Sequence, residues 1–222
     1  MSFDLAQTPT LQAVATADER LLADDLRQRS AEAIAQAEQQ PEVAEAAEAH
    51  RQAGQRLQQL QTAERSLHQH AKESRELTAG ISRAAVEGII EAAAVGKNLE
   101  FRKVDEIVRL DHQERCVNRA IQYLVEHLLP LAKIAGLRAQ SHAMMATARA
   151  VERIAQERAE RVLGQLREAV SEEVVLPVDM SQGVAGALLA HASGLKRAAV
   201  EASETADQME SEFTARQRAG AE

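Results

Sequence analysis

Between residues 102 and 129 the apolar positions Ile107, Leu110, Val117, Ile121, Leu124 and Leu128 recur at steps of three, four and seven. That spacing puts all six on one face of a 3.6-residue helix, so it predicts an amphipathic helix from about Glu100 to Leu129. Pro130 removes a backbone donor and crowds the preceding turn, which predicts a kink or an end. Beyond it the stripe resumes through Ile134, Leu137, Met144, Ala148, Val151, Ala155, Val162, Leu166 and Val170, to about Glu172. Its four-residue steps fit an eleven-residue period better than a heptad.

Upstream the pattern is thinner. Thr8 and Pro9 read as an N-cap followed by the first helical residue, opening a helix to about Gln39. Leu11, Val14, Leu21, Leu22, Leu26 and Ile34 supply most of its bulk, too little for a helix that stands alone. Pro41 then disfavours helix at Gln40 and starts the next one. From there to about Asn98 a heptad threads Val43, Leu57 and Ala71 at a, with Leu60, Leu67, Ile81 and Val95 at d. Such a helix either runs unbroken or breaks between Thr78 and Ser82, where Gly80 lowers helix propensity. Val174 to Val178, β-branched around Pro177, is the one segment that reads as extended. Asp179, with Gln182 three residues on, caps a last helix towards Arg218.

The fold class implied is all-α, with long antiparallel helices forming an elongated helical bundle or coiled coil. Three segments follow in order: an acidic helical arm over 1–40, a long helical hairpin or bundle over 41–173, and an extended linker with a C-terminal helix over 174–222.

Composition sharpens this. Of 222 residues 44 are alanine, and Phe3, Phe101, Tyr123 and Phe213 are the only aromatics, so large core-forming side chains are scarce. A monomer with so little aromatic mass has a limited core, which is the physical reason to expect partners. The net charge of −8 argues against nucleic acid as a partner, because phosphate binding needs a positive surface. Up to residue 50, only Arg20, Arg27 and Arg29 offset ten acidic residues. That arm is either a solvated face or lies against the more basic middle of the chain. Cys116 is the single cysteine, the N-terminus lacks the charged and apolar regions of a secretory signal, and no apolar run is long enough to span a bilayer. A cytoplasmic location is expected.

Chemistry-bearing patterns are sparse. No His follows a Glu by three residues, the spacing that di-metal helical bundles need. His68 and His70 point to different faces. His112 and Cys116, at i and i+4, supply half of a zinc site without a second half, and read as a surface histidine near a buried thiol. Gly96 and Lys97 end like a phosphate loop but lack its first glycine and its Ser or Thr. No catalytic, cofactor-binding or metal residues are predicted.

The most specific pattern is two i, i+4 rows of small residues. One is Gly80, Ala84, Gly88, Ala92 and Gly96; the other is Gly186, Ala190, Gly194, Ala198, Ala202 and Ala206. A ridge without side chains admits another backbone closely, so both rows are expected in interfaces, against each other or against copies of themselves. The function expected is that of a non-enzymatic structural, scaffolding or adaptor protein that forms homo-oligomers or joins protein partners in an assembly. The alternative is a membrane-engaging helical protein stored in soluble form, suggested by the uncharged run from Gly183 to Leu195 but disfavoured by the acidic charges nearby.

Overall fold

The computed structural model describes residues 9–94, 102–172 and 181–220, and every element among them is helical. Helix α1 spans Pro9–Glu38, α2 Pro41–Ala94, α3 Arg102–Tyr123, α4 Leu129–Glu172 and α5 Ser181–Ala219. A single π-helical turn, Leu124–Leu128, joins α3 to α4. The chain is an all-α helical bundle. Thr8, Asn98, the Val174–Val178 segment and Asp179 lie outside the described residues.

Both prolines predicted to open helices do so: Pro9 begins α1 and Pro41 begins α2. Between the two helices only Gln39 and Gln40 intervene. The Gln40 carbonyl accepts from the amides of Val43 at 3.0 Å and Ala44 at 2.9 Å, so it serves the first turn of α2. Helix α2 runs unbroken through Gly80, which settles the two sequence alternatives in favour of continuity.

Pro130 neither ends the helix nor leaves it regular. The widened turn before it carries the Leu129 amide to the Leu124 carbonyl, five residues back. Widening moves the carbonyls of that turn away from the proline ring, which would otherwise collide with the carbonyl four residues before it.

The chain divides into two compact units that cut across the sequence-order segments. One comprises Met1–His50 with Leu137–Thr205, and the other Arg51–Gly136 with Ala206–Glu222. In the first, the core joins Ala33, Ala37 and Val43 to Ala148, Val151, Ile154 and Ala155 of α4 and to Val184, Leu188 and Ala192 of α5. Ser141 donates to the Ala199 carbonyl at 2.7 Å, and Lys196 pairs with Glu152. Sequence separation between these partners falls from 58 to 44 along α4, which antiparallel helices produce and parallel ones do not. The α4 stripe predicted through Ile134, Ala148, Val151, Ala155 and Val162 is buried as expected.

In the second unit Leu60 meets Leu124 and Leu129, with Leu57, Ala63, Leu67, Leu128 and Ala132 packed around them. The α2 heptad is therefore on the inner face at Leu57, Leu60 and Leu67. Arg75 pairs with Glu114 across α2 and α3. Large buried side chains are few throughout: the biggest fully enclosed ones are Leu188, Val151 and Val184, and no polar or charged residue is buried among those described. At about 1.5–3 kcal/mol per buried Leu or Val, both cores rest on a small number of residues.

Candidate functional site

Two surfaces of the second unit stand out, and neither is a cluster of reactive groups. The first is the outer face of α2 near its C-terminal end. Leu77, Gly80, Ile81, Ala84 and Gly88 succeed one another at helical spacing and so share one face. Leu77 is 54% exposed. A shallow depression of about 300 Å³ is lined by Glu76, Leu77, Gly80, Ile81 and Ala84, with Glu106 of α3 on its rim. Val86, Ile90 and Val108 are exposed nearby in sequence. Isolated exposed apolar residues are ordinary, but several on the end of one helix and the start of the next are the usual mark of an interaction surface.

The glycines on this face have room above them. A Cβ added at Gly80 or Gly88 would meet nothing within 4 Å, and the same holds at Gly186 and Gly194 in α5. At these four glycines the expected close approach of another backbone is thus not met within the chain itself. Ala190 is exposed, and Ala198 and Ala202 are half-buried. Gly96 and the side chain of Ala92 lie outside the described residues. The seam that α5 does bury shares only the end of that row, half-buried Ala202 and fully buried Ala206: it runs through Leu188, Ala192, Leu195, Ala199, Ala202, Ala206, Met209 and Phe213, all buried or half-buried and alternating by four and three. This heptad seam was legible in the sequence but masked by the denser glycine pattern beside it.

The second surface is a groove of about 780 Å³ at the π turn, lined by His127, Leu129, Pro130 and Lys133 together with Phe213 and Arg216 of α5. The His127 ring lies 4.9 Å from that of Tyr123 and edge-on to Phe213 at 6.4 Å. Its Nδ1 is 3.0 Å from the Gln217 amide nitrogen, which donates to it when His127 carries its proton on Nε2. Glu126 accepts from Gln122 and Arg216 pairs with Glu212, so these charged groups have partners on their own helices. The contacts tie the end of α5 to the π turn, which is structural work.

The remaining predicted chemistry resolves simply. Cys116 is exposed, not buried as expected, with its Sγ 3.8 Å from Nε2 of an equally exposed His112. The α3 apolar stripe leaves position 116 on its outer side, which is why the thiol faces water. Among the described residues no group of three His, Cys, Asp or Glu is arranged to hold a metal ion. Of the acidic residues predicted as an arm, Asp24 and Asp25 pair with Arg27 and Arg29 on their own helix, while Glu42, just beyond it, reaches Arg153 of α4 at 3.5 Å. Among the described residues no helix is long and apolar enough to cross a membrane. Comparison with known proteins finds no matching family model, no matching curated protein and no matching solved structure.

Proposed function

We propose that this chain is a non-enzymatic helical scaffold or adaptor that self-associates, as part of a larger assembly, through helix faces left uncovered in the single chain. The observation that carries this reading is the outer face of α2, where Leu77, Gly80 and Gly88 stand exposed, with half-buried Ala84 between the glycines and exposed Val86 and Ile90 nearby. The alanine-rich cores supply the energetic side, since a chain that encloses few large side chains gains stability by covering more apolar surface on association. Its charged residues repeatedly form i, i+3 and i, i+4 pairs on solvated faces, as in Lys72–Glu76 and Arg115–Asp111, the ordinary dress of a structural helix. Coiled-coil contacts through these faces and a reducing, cytoplasmic setting fit the single exposed thiol.

Size-exclusion chromatography with light scattering over a dilution series tests the reading. A mass above that of the 24.2 kDa monomer at micromolar concentration is expected. A monomer at all concentrations that also fails to enter any larger complex refutes it. The membrane-engaging alternative is favoured by one feature, the uncharged start of α5, in which Leu189 is half exposed. Flotation with anionic and neutral liposomes separates the two: stable co-migration at physiological salt supports the alternative.

A further inference from the structure

Resting on the scaffold reading, the geometry of α2 points to a specific partner for its outer face. We propose that a second copy of the chain docks there, with the two α2 helices antiparallel about a two-fold axis that passes between Ala79 and Gly80.

Charges flank this face along one side. Lys72, Glu76, Arg83 and Glu87 are all exposed. At about 100° per residue they fall in a single strip about 60° wide along one side of the Leu77–Gly80–Ala84 face. Read along the helix their signs alternate: plus, minus, plus, minus. Two antiparallel helices lying side by side are related by a two-fold axis perpendicular to their common plane, and that rotation keeps a given flank on the same side. The strip on one copy therefore faces the same strip on the other, running in reverse. Lys72 then stands opposite Glu87, and Glu76 opposite Arg83, and both pairs share one centre, between Ala79 and Gly80. By symmetry each pair occurs twice. A parallel arrangement brings the strip against the other side, where Ser74, Thr78, Ile81 and Ala85 turn inwards, buried or half-buried, and Glu106 of α3 stands on the rim, so it meets no row of alternating charge there.

The apolar positions agree with the same register. Leu77 comes level with residue 82 of the second copy, over the stretch between its Gly80 and Ala84, so the largest exposed side chain meets the smallest residues. Gly80 lies beside the axis, where the backbones come nearest, and it has nothing within 4 Å above its Cα in the single chain. The existing Lys72–Glu76 pair is long at 3.9 Å, with both side chains about 70% exposed, and such a pair contributes little that an intermolecular exchange would forfeit. Charge pattern, size pattern and open space thus select one occupant and one orientation.

Two charge-reversed full-length chains test the proposal: Lys72→Glu with Arg83→Glu, making the strip wholly acidic, and Glu76→Lys with Glu87→Lys, making it wholly basic. Each alone turns four attractions into four repulsions, and its self-association should weaken about tenfold or more by light scattering. Mixed at equal amounts, they should recover association as a 1:1 heterodimer that weakens with salt. Circular dichroism of each variant checks that the helices persist. If one variant fails to fold, Lys72→Cys and Glu87→Cys chains, both with Cys116→Ser and mixed with a short bis-maleimide, replace the test. Antiparallel docking yields the mixed cross-link, whereas parallel docking yields Lys72→Cys coupled to itself and overturns the proposal. An oligomeric wild type whose charge-reversed variants associate unchanged also overturns it, while leaving the scaffold reading intact. A monomeric wild type at every concentration refutes this interface, and the self-association reading with it.

Discussion

Replacing Leu188 by Ala probes the first unit where its core is thinnest. Leu188 is fully enclosed, and its cluster includes Ala33, Ala37, Ala148, Ala155 and Ala192. The substitution removes three carbons, which at about 0.8 kcal/mol per methylene amounts to about 2.4 kcal/mol of lost transfer energy. The cavity term comes on top, and here it should be large. A void shrinks when neighbouring side chains rotate into it, but an alanine methyl is fixed by the backbone and has no rotamer to change. With so many alanines in the cluster and Val151, Val184 and Ile154 as its other enclosed side chains in α4 and α5, the total should fall in the upper part of the usual range, about 3–5 kcal/mol. Urea unfolding followed by far-ultraviolet circular dichroism measures it, with Leu189→Ala as the control. Leu189 is 46% exposed and one residue away, so its truncation should cost below about 1 kcal/mol. If the two variants cost the same, or Leu189→Ala costs more, then the rotation of α5 about its axis is not the one described.

Further outcomes follow from individual contacts. Gly80→Leu should act in opposite directions at two concentrations, raising stability by about 0.5–1 kcal/mol where the chain is dilute, because Leu is the better helix former and the space is open, while weakening self-association at high concentration. Gly194→Ala should stabilise by about 0.5–1 kcal/mol in thermal melts, since its added methyl meets nothing within 4 Å. Ser141→Ala removes the donor to the Ala199 carbonyl between α4 and α5 and should cost about 1 kcal/mol in urea unfolding. Cys116, exposed on α3, should react with a thiol reagent in native buffer as fast as in urea; protection would mean that this face of α3 is covered in solution.

The parts of the fold readable from the chain are those where bulky residues repeat. The stripe through Ile134, Val151 and Val162 located α4, and Pro9 and Pro41 marked two helix starts, because a fixed φ and a missing donor act locally and do not wait for tertiary context. Pro130 shows the limit of that logic. The local rule demands relief from a steric clash, and a kink, a stop and a π turn all supply it; the choice falls to packing, since Leu124 and Leu129 on either side of the turn both have to reach Leu60. The division into compact units was not legible for a related reason. Units built from distant stretches, such as Met1–His50 with Leu137–Thr205, are set by which helices lie side by side, and periodicity along one helix does not encode its neighbour.

Alanine explains why the candidate interface was half visible. In α5 two rows of small residues run side by side, and a sequence pattern weighs them equally. Burial separates them at the start of the helix: Gly186 and Ala190 face outwards, while Leu188, Ala192 and Ala199 form the seam, which the first row joins only at Ala202 and Ala206. Glycine spacing alone therefore does not find an interface in an alanine-rich chain, because small residues serve equally well beneath a neighbouring helix and under open water. What distinguishes the α2 row is the company it keeps. Leu77 stands exposed on the same face, and the strip of alternating charge beside it is self-complementary only when reversed. Large residues next to small ones, and charges that pair under one symmetry operation and not another, carry orientation; a row of glycines carries none. For that reason the charge-reversal experiment tests a register that no substitution of the glycines can reach.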